Sequence, residues 1–116
     1  MSDPTARAKN LVARRQEYRC MICGLYLLTS ATPHSFHHRL MRSQGHGYAG
    51  LHQPGNLILL CGTGTTGCHG YVHAHPAESY DNGWLVHIDG NPLTQPVRDK
   101  FHGRILLDDT GDWREA

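Results

Sequence analysis

The sequence predicts a small α+β domain with more turn than core, and three observations carry that expectation. A chain of 116 residues is the length of one compact domain. It is 39% hydrophobic and 18% charged, which is globular rather than disordered, yet 13 glycines and 6 prolines imply many turns around a small core. Helix-like and strand-like stretches then alternate with cysteines set in close pairs, the pattern of a domain that needs crosslinks beyond its own core.

The first element is a helix. Asp3 before Pro4 reads as an N-cap with proline in the first turn, and no glycine or further proline follows until after Arg19. Ala8, Leu11, Val12, Arg15 and Tyr18 fall on one rough helical face. Cys20-Met21-Ile22-Cys23-Gly24 reads as a tight turn and residues 25–28 as a short strand. Ser35-Phe36-His37-His38 is a second candidate strand, and residues 39–55 form a polar loop ending in the turn Pro54-Gly55-Asn56. Leu57-Ile58-Leu59-Leu60 is a buried strand by composition.

A glycine-rich link over residues 62–67 leads to Cys68-His69. From there a helix runs to about Tyr80, kinked or split at Pro76 and stopped by Asn82-Gly83. Residues 84–89 and 104–108 read as two late strands joined through Pro92 and Pro96. The expectation is one domain over residues 1–116: an N-terminal helix (1–19), a core (20–83) and C-terminal strands (84–116).

Residues 1–7 hold no apolar run and no small-residue cleavage site, so they do not read as a secretory signal. The longest apolar run, residues 57–61, is far short of the roughly 20 residues of a membrane span. The chain reads as soluble and cytoplasmic, with no membrane partner. Net charge is +1, but it averages two unlike halves. Residues 1–60 carry seven basic and two acidic side chains, a charge of +5, and residues 61–116 carry −4. A basic half on a small domain is a candidate phosphate-binding face.

In a reducing compartment four cysteines bind metal more often than they form two disulfides. Cys20-x2-Cys23 and Cys61-x6-Cys68 are separated by 37 residues, and each short loop can present two sulfurs to one tetrahedral zinc. The second spacer is the looser, but its three glycines let the backbone turn. Such a site is closed: it staples the fold and performs no chemistry.

Eight of the ten histidines lie between residues 34 and 75. His69 and His73, at i and i+4, project from one face of a helix as a two-point metal grip. The spacing is that of H-E-x-x-H proteases, but Gly70 stands where their glutamate would be. The zinc deaminases fail too, since H-x-E and P-C-x-x-C are absent. A third ligand and a base are wanted, and His37-His38 can supply both: on a strand, adjacent side chains point to opposite faces. His34, His46, His52, His75, His87 and His102 read as surface or rim residues, with His75 the nearest to being an exception. Trp84 and Trp113 read as anchors of the C-terminal strands, and Asp108-Asp109 as a turn acid pair.

The order Cys20-x2-Cys23, His37-His38, Asn56, Cys61, Cys68-His69 resembles the HNH endonucleases, in particular the small zinc-stapled kind of bacteriophages and actinobacteria. The texts FHHRLMRSQGHG and GNLILLCGTGTTGCHGYVHAHPAESY carry the likeness, which spans about residues 18–83. The resemblance implies a ββα-metal (His-Me finger) fold, in which two strands and a helix clasp one catalytic ion. It implies His38 as general base, His37 and His69 as metal ligands, His73 as an additional ligand, and Asn56 as the brace of the loop carrying the base. The cysteine spacer is longer than the family's usual two residues, and position 73 lies outside the three-letter motif.

The implied activity is metal-dependent hydrolysis of DNA phosphodiesters, leaving 5′-phosphate and 3′-hydroxyl ends. The implied cofactors are one structural Zn²⁺ and one catalytic divalent ion, Mn²⁺, Ni²⁺, Mg²⁺ or Zn²⁺. Arg39 and Arg42, directly after the base, are candidate contacts to flanking DNA phosphates. For a phage protein the place of action is the host cytoplasm and the DNA-packaging terminase an expected partner. The alternative is a zinc-stapled DNA-binding or phage assembly protein with no catalysis.

Overall fold

The computed structural model describes residues 3–28, 31–45 and 47–116. The first helix, α1 (Ala6–Arg15), is capped by Thr5, whose Oγ1 accepts from the Ala8 amide at 3.1 Å. The expected cap, Asp3, lies further out and pairs with Arg42 at 3.0 Å. The helix also stops before Arg19. Glu17 and Tyr18 take left-handed φ values of 53° and 62° and reverse the chain, so α1 ends where the turn begins. Ala8, Val12, Ala13 and Arg15 form its buried face.

The reversed chain carries the turn at Cys20–Gly24, closed by the Gly24 amide on the Cys20 carbonyl at 2.9 Å. Residues 25–28 do not make the expected strand; they contribute only an isolated bridge between Arg19 and Tyr26. Two strands follow, β1 (His34–His38) and β2 (Leu57–Cys61), paired antiparallel with His37 opposite Ile58 and His38 opposite Leu57. A 3-10 turn, Pro54–Asn56, leads into β2. All five residues of β2 are buried, and each of its four aliphatic side chains contributes about 1.5–3 kcal/mol by leaving water. In β1 the alternation buries His37 and leaves its neighbours Phe36 and His38 half-exposed.

The second helical stretch is split, as proline predicts. Helix α2 (Gly67–Ala74) ends at His75, and α3 (Pro76–Asp81) begins with the proline whose missing N–H breaks the ladder. Helix α2 packs on β2 and β1, which brings its His face to the hairpin.

The expected strand over residues 84–89 is absent. Its backbone is used elsewhere: the Trp84 carbonyl meets His37 Nε2 at 2.8 Å, and the Val86 amide donates to the Arg39 carbonyl at 2.8 Å. The late strand is β4 (Gly103–Leu107), one residue earlier than read, and it is flanked by two three-residue strands, β3 (Val97–Asp99) and β5 (Trp113–Glu115). The architecture is thus α+β with two small antiparallel sheets. Val12, Leu57, Ile58, Leu60, Val72, Val97, Ile105 and Leu107 form one core between them. Trp84 belongs to that core, whereas Trp113 stays at the rim against His102. Asp108 organises the β4–β5 turn through Thr110 and Asp112, and Asp109 accepts the Gly55 amide at 3.0 Å.

Two arginines lie inside this small core. Arg15 donates to the carbonyls of Pro54 (2.8 Å) and Leu57 (2.6 Å). Arg39 donates to four carbonyls: Gly83, Pro92 and Gln95 at 2.8 Å, and Gly55 at 3.1 Å. Burial lowers Arg15 to about 10 and Arg39 to about 9, so both stay charged at neutral pH. Arg39 is therefore not a DNA-contacting residue: it is 0% exposed, and its guanidinium ties the turn before β2 to the chain beyond α3. The +5 of the first half shrinks accordingly as a surface charge. Among the described residues no helix is long and apolar enough to cross a membrane.

Candidate metal centres

Cys20, Cys23, Cys61 and Cys68 converge, their sulfurs all within 4.8 Å of one another. The turn after α1 brings the first two, the end of β2 the third, and the first turn of α2 the fourth. The Met21 amide donates to the Leu59 carbonyl at 3.1 Å, which docks the first turn on β2. Gly62 and Gly67 make the second loop possible, with φ of 87° and 61°; a Cβ on Gly62 would strike the Thr66 carbonyl, and one on Gly67 the Cys61 carbonyl.

Cys23 and Cys61 sulfurs are 3.7 Å apart, far beyond the roughly 2.05 Å of a disulfide. They match the edge of about 3.8 Å that a tetrahedron with Zn–S bonds of about 2.3 Å requires. The Cys68 amide also donates to the Cys61 sulfur at 3.3 Å. Burial pushes the Cys20 and Cys68 thiols up. Burial acts the same way on Cys23, but the Leu25 amide and the neighbouring thiols outweigh it and hold that thiol below its ordinary value. Four sulfurs this close can all be thiolates only around a shared cation. The donor set fits a structural zinc.

A second group forms from His37, His69 and His73, again with ligand nitrogens within 4.8 Å of one another. His69 and His73 face each other across one turn of α2, Nε2 to Nε2 at 3.2 Å. Nitrogens bound at about 2.0–2.1 Å to one ion stand about 2.9–3.4 Å apart, between octahedral and tetrahedral angles, so the pair fits. His37 meets them edge-on from β1, ring centroids 5.0 and 5.4 Å away. Its Nε2 is held by the Trp84 carbonyl, so that nitrogen carries the proton and Nδ1 keeps the lone pair. The ring is 2% exposed, and burial, offset in part by that carbonyl, lowers it to about 3. Burial, with His73 close by, lowers His69 to about 4. His69 Nδ1 is buried without a hydrogen-bond partner among the described residues. Neutral, crowded imidazoles are the form in which histidine binds a cation.

His37 and His38 line one cleft of about 660 Å³ together with His69, His73, Asp3, Lys9 and Arg42. Arg42 stays a candidate cation of this cleft, held by Asp3. His38 is lowered to about 4 by burial first, then by the nearby His52 and Arg42. Its Nε2 lies 2.9 Å from His52 Nδ1. The residue reading placed His52 among rim histidines; a loop of fifteen residues hides such a contact, and no spacing in the sequence announces it. Asn56 is fully buried. Its Oδ1 accepts the Leu40 amide at 2.7 Å, and its Nδ2 donates to the carbonyls of Leu51 (2.9 Å) and Leu40 (3.1 Å). It thus clasps both ends of the loop between β1 and the 3-10 turn.

The other described histidines stay outside both groups: His75 stacks on Tyr71 and His87 on Tyr80, while His34 and His102 bond to local chain. His46 lies outside the described residues. In comparisons with family models, curated proteins and solved structures, none matches this chain.

Proposed function

We propose that the protein is a metal-dependent DNA endonuclease of the HNH kind, its catalytic unit a ββα-metal hairpin and helix made of β1, β2 and α2. The observation that carries this reading is the placement of two consecutive histidines on one cleft. His37 joins the ligand group with His69 and His73, while His38 stands beside it outside that group. A residue order that resembles the family thus coincides with a ligand trio, a neutral neighbouring imidazole and a buried asparagine clasp.

His38 takes a proton from a water in the cleft; burial keeps it neutral, and so able to accept, at physiological pH. General-base help of about 10²–10⁴-fold falls toward its lower end for an imidazole lowered to about 4. A divalent ion on His37, His69 and His73 supplies Lewis-acid stabilisation of the phosphoryl oxygens when bound. Asn56 holds the backbone that carries the base. Lys9 and Arg42, which line the cleft, draw the phosphodiester to it. The four-cysteine site takes no part beyond keeping α2 and β2 in place. An imidazole ligand set favours a transition ion over Mg²⁺, which prefers oxygen.

The test is nicking of supercoiled plasmid with Mn²⁺, Ni²⁺, Mg²⁺ or Zn²⁺ against EDTA. We expect cutting by the wild type and none by His38→Ala, with both metal equivalents retained in the variant. A wild type that binds DNA but never cuts it under any ion sinks the proposal and favours the non-catalytic DNA-binding reading.

A further inference from the structure

We infer that His52 is the positioning residue of the base, holding His38 in the tautomer whose Nδ1 keeps its lone pair; the inference rests on the nuclease reading of the same cleft. His38 Nε2 and His52 Nδ1 are 2.9 Å apart, and the rings meet edge to face at 76°. Two imidazole nitrogens at that distance have room for one proton between them. When it sits on His38 Nε2, Nδ1 of His38 is free to accept. When it sits on His52 Nδ1, the proton of His38 is forced onto Nδ1, and that ring has no lone pair left for water. Only the first arrangement is a base.

The contact is built into the backbone. Asn56 holds Leu40, two residues after His38, and Leu51, the residue before His52. One buried side chain therefore fixes both rings' chain segments. Its role extends past bracing the base loop to setting the distance between base and partner.

The pair also favours the reaction as it proceeds. The water O–H bond breaks and an N–H bond forms at Nδ1, leaving His38 as imidazolium. Its Nε2–H still donates to His52 Nδ1, now from a charged ring, and such bonds are about twice as strong as neutral ones. The gain exists only once the proton has moved, so it lowers the barrier rather than the ground state. The proton stays on Nδ1 until it leaves to solvent.

The experiment uses the full-length, zinc-loaded protein with ¹⁵N-labelled histidine. In the wild type we expect His38 protonated at Nε2 and bare at Nδ1, and in His52→Ala a mixture of tautomers. With plasmid substrate, His52→Ala should lose about 10–100-fold in kcat, the usual cost of an outer partner, with KM and metal content unchanged. His52→Asn places an amide oxygen where Nδ1 was, accepts the same hydrogen bond, and should recover most of the loss. The inference is overturned if wild-type His38 carries its proton on Nδ1, if Ala and Asn lose alike, or if His52→Ala sheds metal. The wild-type tautomer decides the matter even where a variant folds poorly. If the wild type cuts no DNA with any ion, the nuclease reading falls, and the tautomer still shows separately whether His52 directs His38.

Discussion

The two candidate metal centres share one helix yet differ in how they are built. The cysteine group draws two sulfurs from the tight turn after α1, one from the end of β2 and one from the first turn of α2, which completes a tetrahedral set. The histidine group has three ligands from one strand and one helix, and it opens on a cleft. The first leaves no room for a substrate; the second leaves room on one side. A closed sphere of soft ligands stabilises, and an open set of imidazoles can exchange what it holds. Cys68 and His69 are consecutive at the start of α2, so a metal held by the cysteine group would fix the backbone that presents the histidine group.

The contrast is broken most severely by removing one sulfur. Cys20→Ser should abolish the cooperative thermal transition followed by circular dichroism, since structural zinc contributes about 10–16 kcal/mol of apparent binding energy in small domains. His73→Ala should keep that transition and lose only the weaker metal equivalent. Equal unfolding in both would mean that the two centres are one structural unit.

Acid offers a sharper and smaller probe, applied to protein freed of the labile ion. His37 in the fold is lowered from 6.5 to about 3, and His38 and His69 to about 4. Below pH 6.5 the unfolded chain binds protons that the folded rings refuse. Their stabilisation is therefore complete above about 6.5 and is lost as pH falls toward 3–4. Urea titrations between pH 6.5 and 5 should show a slope of up to about 1.4 kcal/mol per pH unit for each such histidine. His37→Leu should flatten it by one histidine's share; an unchanged slope would place the protons elsewhere.

The smallest effect is expected within the longer cysteine loop. A Cβ on Gly64 meets nothing within 4 Å, and its φ is not left-handed. Gly64→Ala should shift stability by no more than about 0.5 kcal/mol. A large loss in a thermal melt would show that the loop is packed more tightly than its open side suggests.

Much of this was legible in the residues, for identifiable reasons. The run at 57–60 reads as a buried strand by its composition, and Pro76 reads as a kink or break in a helix; both are what the fold shows. The cysteine pairs and the i, i+4 histidines announced their clusters, because short spacings survive folding unchanged. Long-range contacts did not announce themselves. Arg39 looks in the sequence like a phosphate contact because it is charged and follows His38; only the fold shows four carbonyls waiting for it. His52 had no local signal at all. Residues 84–89 look like a strand, yet their carbonyl and amide groups serve His37 and Arg39 instead of a sheet. The strands β3 and β5, three residues each, are too short to carry a pattern.

The register of β1 on β2 limits how this chain can change length over generations. With His37 opposite Ile58 and His38 opposite Leu57, the pleat alone sets the proposed ligand apart from the proposed base. A one-residue insertion or deletion within β1 would turn His38 inward and His37 outward, exchanging the two proposed roles at a stroke. The loop from 41 to 50 carries no such parity, because Asn56 grips it only at Leu40 and Leu51. Descendants of this sequence should therefore vary more in the length of that loop beyond the cleft-lining residues 41–43 than within the five residues of β1.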